Sequence, residues 1–258
     1  MSRVIAVTGA ASGIGAATAG LLRERGDRVI GVDLKDVEVC ADLSTPEGRA
    51  SAVAQVVELA EGRLDGLITC AGLSQAGAAQ VSVNFFGTTD LVTGLQPVLA
   101  AAPAPRVALV GSIAGTHPND AAIVAACLAG DEAAGLAAAE VAAGAGRAHE
   151  IYGSTKAALT QWLRRTAVTP EFAGAGIPVN AIAPGVVLTP MTAELVSDPE
   201  WKAIMDAAVP MPLNGYAEPE VIGNALLWLI APENSHMAGQ MVFVDGGAEA
   251  LGTTLFAG

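Results

Sequence analysis

The sequence predicts an α/β fold, a doubly wound domain in which a parallel sheet is covered on both faces by helices, with residues 1–258 forming a single unit. Three observations carry this reading. Short runs of Val, Ile and Leu alternate with longer helical patterns along the whole chain. The runs are apolar at every position rather than at every second one, as expected of strands buried on both faces. No Ser/Gly/Pro-rich linker divides the 258 residues.

The strands are expected at Val4–Val7, Val29–Val32, Gly66–Cys70, Arg106–Gly111, Val179–Ala183 and Met241–Val244, with Val37–Cys40 as a further short one. The first runs into Thr8-Gly9-Ala10-Ala11-Ser12-Gly13-Ile14-Gly15 and then a helix that ends at Gly26. Glycines there let the backbone turn tightly and approach a pyrophosphate, while the helix N-terminus offers free N–H groups and partial positive charge. Gly9, Ser12, Gly13, Ile14 and Gly15 are therefore candidate phosphate contacts. The second strand ends at Asp33-Leu34, where a carboxylate can bind both ribose hydroxyls and would repel a 2′-phosphate. That favours NAD over NADP, with Lys35 close by as the opposing feature. Ser44-Thr45-Pro46-Glu47 is predicted as a capping box that opens the next helix.

The strand from Arg106 ends in Gly111-Ser112, and a Ser at the carboxyl end of a parallel strand faces the cleft where open α/β sheets bind ligands. Ala121 to Gly146 is dominated by Ala and Gly, and Ala favours helix, so a helical insertion over about 117–148 is expected. Tyr152-Gly153-Ser154-Thr155-Lys156 follows at the start of an apolar helix. Residues four apart share a helix face, placing the phenol and the ammonium in one space. Tyr-x-x-x-Lys is common by chance on helices, and Ser112 is what gives it meaning. A phenol needs about 4 kcal/mol of preferential stabilisation of its anion to act as a base near neutral pH, which a nearby ammonium in a dry cleft supplies.

Together, Thr8-Gly9-x-x-x-Gly13-x-Gly15, Ser112, Tyr152-x-x-x-Lys156 and Pro184-Gly185 resemble the short-chain dehydrogenases/reductases. The resemblance spans the chain and implies a Rossmann-type fold with a seven-stranded parallel sheet. It implies Tyr152 as acid/base, Lys156 as its tuner and ribose holder, Ser112 as carbonyl binder, and Asn84 as support for a proton relay to the lysine. It further implies Asp42 and Leu43 against adenine, Cys70, Ala71 and Gly72 beside the cofactor, and Pro184, Gly185, Val187 and Thr189 at the nicotinamide. Two departures stand out: Thr69-Cys70-Ala71-Gly72 replaces the family's common Asn-Asn-Ala-Gly, and forty positions separate Ser112 from Tyr152. Both features, with Val37–Arg49, are similar to the bacterial 3α-hydroxysteroid dehydrogenase/carbonyl reductase group. That similarity implies a hydrophobic secondary alcohol or ketone as substrate, a hydroxysteroid or an aryl or alicyclic carbonyl compound among the candidates.

From 190 to 216, where the family has a substrate lid, the apolar residues Met191, Leu195, Trp201, Ile204, Met205, Val209, Met211 and Leu213 suit either an adaptable pocket or plain packing. A net charge of −13 argues against a nucleic-acid partner, and three lysines make no polybasic membrane patch. No stretch reads as a membrane span. Cys40, Cys70 and Cys127 read as free thiols of a cytoplasmic protein, and the three histidines fit no metal spacing, so no metal is expected. The family resemblance implies a homodimer or homotetramer, with the insertion altering or blocking the common subunit contact. The rival reading is a dinucleotide-binding sensor or structural subunit without turnover, which has no need of Asn84, Ser112, Tyr152 and Lys156 together.

Overall fold

The computed structural model describes residues 2–74 and 77–252. Strands β1 (Val4–Thr8), β2 (Arg28–Asp33), β3 (Val39–Cys40), β4 (Gly66–Thr69), β5 (Arg106–Val110), β6 (Val179–Pro184) and β7 (Met241–Val244) form one sheet. Their order is β3-β2-β1-β4-β5-β6-β7, and every neighbouring pair is parallel. The helices described are α1 (Gly13–Glu24), α2 (Pro46–Leu59), α3 (Gly87–Gly94), α4 (Gln96–Ala100), α5 (Ala121–Ala129), α6 (Glu132–Gly144), α7 (His149–Thr166), α8 (Ala193–Ser197), α9 (Pro199–Ala208), α10 (Pro219–Leu229) and α11 (Ala248–Gly252).

The period of two along each strand divides the core. Val4 and Ala6 point to one face with Leu67, Leu109, Leu91, Leu95, Leu159 and Leu163, so α2, α3 and α7 cover that side. Ile5 and Val7 point to the other with Leu22, Ile222 and Leu226, where α1 packs on α10. Burial on both faces explains why the strands are apolar throughout. Chain order reverses between β1 and β4, leaving a crevice at the carboxyl ends of those two strands.

Helix ends follow local chemistry. α1 stops at Gly26, with φ +84°, through paired bonds from Gly26 N to Arg23 O and from Asp27 N to Leu22 O. The capping box is corrected by one residue: Thr45, not Ser44, caps α2 and accepts from Gly48 N at 3.0 Å, with Pro46 in the first turn. Proline fixes the first helical position, so the cap falls on the residue before it. The short edge strand β3 leaves Gly31 N without a strand partner, and the Glu38 carboxylate takes its place at 2.8 Å.

The expected insertion is the helix pair α5 and α6, capped by Asp120 and Asp131 and separated by Gly130 in the left-handed region. Ile123, Val124 and Cys127 bury one side of α5, which packs along α7. α6 lies against residues 81–86, a π-helical turn leading into α3. Arg147 bonds Asp120 at 2.6 Å and Glu150 at 2.7 Å, tying the insertion to α7 at its exit. Among the described residues no helix is long and apolar enough to cross a membrane, and no cluster of His, Cys, Asp and Glu could hold a metal.

Candidate active site

The crevice at the β1/β4 reversal is a cleft of about 390 Å³. Its floor is the glycine-rich turn, with Gly9, Ser12, Gly13, Ile14 and Gly15 all lining it. Gly9 has φ +70°, and a Cβ there would stand 2.8 Å from Ala71 N; a Cβ on Gly15 would collide with the Gly9 carbonyl. The turn is therefore as close to β4 as backbone allows. Ser12 leaves the α1 N-terminus without a side-chain cap, and no acidic residue occupies the first turn. Uncommitted N–H groups at a helix start fit a diphosphate.

Asp33 stands at the lip, its carboxylate accepting from Ala11 N at 3.0 Å and Leu34 N at 2.7 Å. Leu34, Asp42 and Leu43 line the cleft beyond it, and Cys70, Ala71 and Gly72 line the β4 side. Thr189 closes the opposite rim, its methyl 3.3 Å from where a Gly13 Cβ would be. Sequence reasoning missed Ala41, Ser44, Leu73, Ala79, Val83 and Pro190 as lining residues. These small or apolar residues carry no charge or reactive group that separates lining from packing.

Tyr152, Lys156, Ser112 and Asn84 converge beside this cleft from three elements. Tyr152 and Lys156 lie on α7, one turn apart, with the ammonium 5.7 Å from the phenol ring centroid. Ser112 ends the β5 connection, caps a 3₁₀ turn over Ile113–Thr116, and accepts from Ala114 N at 3.1 Å. Burial pushes the Tyr152 phenol above its usual pKa, and the neighbouring Ser112 hydroxyl pulls it back. Burial lowers Lys156 to about 8, while Nζ donates to the Val110 carbonyl at 2.9 Å. Cys70 sits nearby with its thiol pushed up to about 12 by burial. A thiol of that pKa is neutral while the ammonium is charged, so it offers the lysine little electrostatic support.

Asn84 is fully buried in the π-helical turn. Its Oδ1 accepts from Leu73 N at 2.7 Å, and its Nδ2 donates to Leu73 O at 2.9 Å and Thr155 Oγ1 at 3.2 Å. Thr155 in turn donates to Tyr152 O at 2.8 Å. Thr155 is a contact that the sequence reading missed, although a polar residue on the buried face of α7 was the available signal. A Cβ on Gly72 would lie 3.3 Å from Asn84 Oδ1 and 3.9 Å from Lys156 Nζ, so β4, Asn84 and Lys156 meet at one small residue. Gly153 lets the 3₁₀ turn lie flush on α7; a Cβ there would stand 2.9 Å from Ala114 O.

The segment after β6 is pinned rather than loose. Gly185 N bonds Val244 O at 3.2 Å, Val187 pairs with Ala217, and Thr192 Oγ1 donates to Val187 O at 2.6 Å. Pro184, Gly185 and Val187 lie outside the lining of the cleft, whereas Thr189, Pro190 and Met191 belong to it. α8 and α9 follow, and no side chain of α9 is buried: Trp201 and Ile204 are 53% and 56% exposed. Plain packing of the lid onto the body therefore does not account for them. A larger cavity of about 540 Å³ opens between α9 and residues 210–216, with Leu188, Lys202, Asp206, Met211 and Tyr216 in its wall. It holds none of the expected phosphate or ribose contacts.

Comparison with known proteins agrees with this geometry. A family profile described as enoyl-(acyl carrier protein) reductase matches residues 9–249. The chain is 36% identical over 255 residues to 3-alpha-hydroxysteroid dehydrogenase/carbonyl reductase of Comamonas testosteroni, covering 96% of this chain and 97% of that protein. It is 32% identical to cis-4-hydroxycyclohexanecarboxylate dehydrogenase of Sinomonas cyclohexanicum, covering 96% and 97%. Among solved structures, the 3-alpha-hydroxysteroid dehydrogenase of Pseudomonas sp. B-0831 complexed with NADH superposes with a TM-score of 0.89 at 41% identity, covering 96% of this chain and 98% of that one. With its seven-stranded parallel sheet, its glycine-rich cleft and the meeting of Ser112, Tyr152 and Lys156, the chain belongs to the short-chain dehydrogenase/reductase family.

Proposed function

We propose that the protein interconverts a hydrophobic secondary alcohol and its ketone with NAD(H) as cofactor, a cyclic substrate such as a hydroxysteroid or alicyclic carbonyl compound fitting best. The observation that carries this reading is the meeting of the Ser112 hydroxyl, the Tyr152 phenol and the Lys156 ammonium beside the cleft. The names of the two relatives above, a hydroxysteroid and a cyclohexanecarboxylate dehydrogenase, support the substrate class.

The dinucleotide supplies the hydride acceptor in one direction and the donor in the other. The chain supplies the proton and the positioning. In reduction, Ser112 donates a hydrogen bond to the carbonyl oxygen and Tyr152 gives its phenolic proton to the oxygen as negative charge develops there. Lys156, with a pKa of about 8, is an ammonium at neutral pH; it holds the ribose hydroxyls and favours the phenolate that remains. Asn84 fixes Leu73 and Thr155 behind it. Gly9, Ser12, Gly13, Ile14 and Gly15 take the diphosphate, Asp33 and Leu34 the adenosine ribose, and Asp42 and Leu43 the adenine. Cys70, Ala71 and Gly72 flank the cofactor, and Thr189 on the cleft rim takes the carboxamide end, with Pro184, Gly185 and Val187 in the segment that leads to it.

The preference for NAD rests on Asp33, whose carboxylate is already anchored by two backbone N–H groups and cannot swing away from a 2′-phosphate without losing both. The ratio of kcat/KM for NADH and NADPH, measured on a panel of bulky ketones, is expected to exceed about tenfold in favour of NADH; a preference for NADPH refutes the assignment. Trp201→Ala is expected to lower kcat/KM without moving the thermal midpoint, since its indole is exposed rather than packed. We further propose one domain over 1–258, a cytoplasmic location and an assembly of two or four copies.

A further inference from the structure

Arg49 is the least expected buried charge in the molecule. It lies on α2 at 3% exposure, outside the catalytic group, and its guanidinium is spent in four directions. Nε donates to Asp90 of α3 at 2.7 Å, and Nη1 donates to the Leu43 carbonyl at 3.2 Å. Nη1 also meets Glu132 at 3.1 Å, and Nη2 completes a two-point pair with the same carboxylate. The Phe86 ring lies under the guanidinium, 5.9 Å from centroid to charge.

The partners matter more than the burial. Glu132 is the first residue of α6, so the inserted helix pair delivers this carboxylate. Leu43 belongs to the 42–44 turn, which lines the cleft beyond Asp33, where the adenine lies once Asp33 holds the ribose. The Leu43 side chain anchors that turn in the core at 5% exposure, but little regular structure holds its backbone. β3 is two residues long, and the turn's own bonds are local: Ser44 N to Asp42 Oδ1 at 2.9 Å and Thr45 N to Asp42 O at 3.3 Å. A buried ion pair stabilises a fold little, because desolvation offsets the attraction, but a planar fork satisfied on all sides fixes geometry well.

We propose that Arg49, held by Glu132 of the insertion, is a positioning residue for dinucleotide binding, setting the 42–44 turn at the adenine end of the cleft. The inserted helices then serve cofactor affinity as well as whatever they do at the surface. The inference rests on the dinucleotide reading of the cleft, so the test keeps the two apart. ADP-ribose, which lacks the nicotinamide, is titrated calorimetrically into the full chain and its variants, and kcat is read at saturating NADH.

Glu132→Leu is expected to weaken ADP-ribose by about tenfold, the loss of one charge-assisted hydrogen-bond system, and to raise the KM for NADH in step. Its kcat stays within about twofold, and Glu132→Gln, which keeps an acceptor for the fork, recovers most of the affinity. If Glu132→Leu does not fold, Arg49→Lys, which keeps the charge but loses the fork, carries the same expectation. Unchanged ADP-ribose affinity in the folded variant, or equal losses in kcat and affinity, overturns the proposal. Failure of the wild-type chain to bind ADP-ribose, NADH and NADPH overturns the dinucleotide reading instead.

Discussion

Lys156 faces opposite demands from stability and from chemistry. Burial lowers its pKa from 10.5 to about 8. Between those values the unfolded chain binds a proton that the folded chain has released, so stability rises with pH. Cys70 and Cys127, pushed from 9.0 to about 12 by burial, act in the opposite sense above pH 9. The thermal midpoint of the unliganded protein should therefore climb only slightly between pH 8 and 9, where the two thiols already offset most of the lysine's effect, and Lys156→Met should turn the climb into a fall. At pH 7 the same variant should melt higher, since keeping that ammonium charged in the fold costs on the order of 3 kcal/mol. Scanning calorimetry at pH 7, 8 and 9 checks both statements; a variant midpoint that climbs with pH, or that lies below the wild type at pH 7, contradicts them. The activity of the variant should fall at the same time, because the charge that burdens the fold is the one the phenol needs.

At the scale of elements, the contact between α7 and the 3₁₀ turn sets the distance from Tyr152 to Ser112. Gly153 permits it, and Gly153→Ala would press a methyl to 2.9 Å from the Ala114 carbonyl, a backbone atom that cannot swing aside. We expect kcat to drop by about one hundredfold with cofactor affinity unchanged, the effect of an ångström-scale displacement of a reacting group; unaltered kcat would show that the turn gives way freely. The seven strands, the order of glycines in the cradle and the Tyr152–Lys156 spacing were legible because period and motif act locally. The insertion was legible as helix from its alanines, though not as two helices divided by Gly130. What stayed hidden depends on long-range packing. The Val110 carbonyl that accepts a hydrogen bond from the lysine, the tie from Asn84 to Thr155 and the burial of Arg49 all join residues distant in sequence or identical in pattern to their neighbours. The shift of the α2 cap from Ser44 to Thr45 shows how little separates two adjacent hydroxyl residues until Pro46 fixes the register.

Across the whole molecule, reversal of strand order between β1 and β4 opens the crevice, and the end of β2 and the loops after β4 and β6 carry Asp33, Gly72 and Thr189 to its rim. The insertion covers α5's share of α7 and leaves Val141 exposed on its outer side. Removing residues 117–148 should bare that face of α7 and raise the solution mass above that of the full chain; equal masses by light scattering would show that the insertion does not govern assembly. Proton transfer by Tyr152 in a ketone/alcohol interconversion is tested most directly by NADH oxidation with a bulky cyclic ketone in Tyr152→Phe. Loss of the hydroxyl alone should lower kcat by about a thousandfold while NADH still binds with its wild-type affinity. Turnover undiminished in that variant would contradict the account.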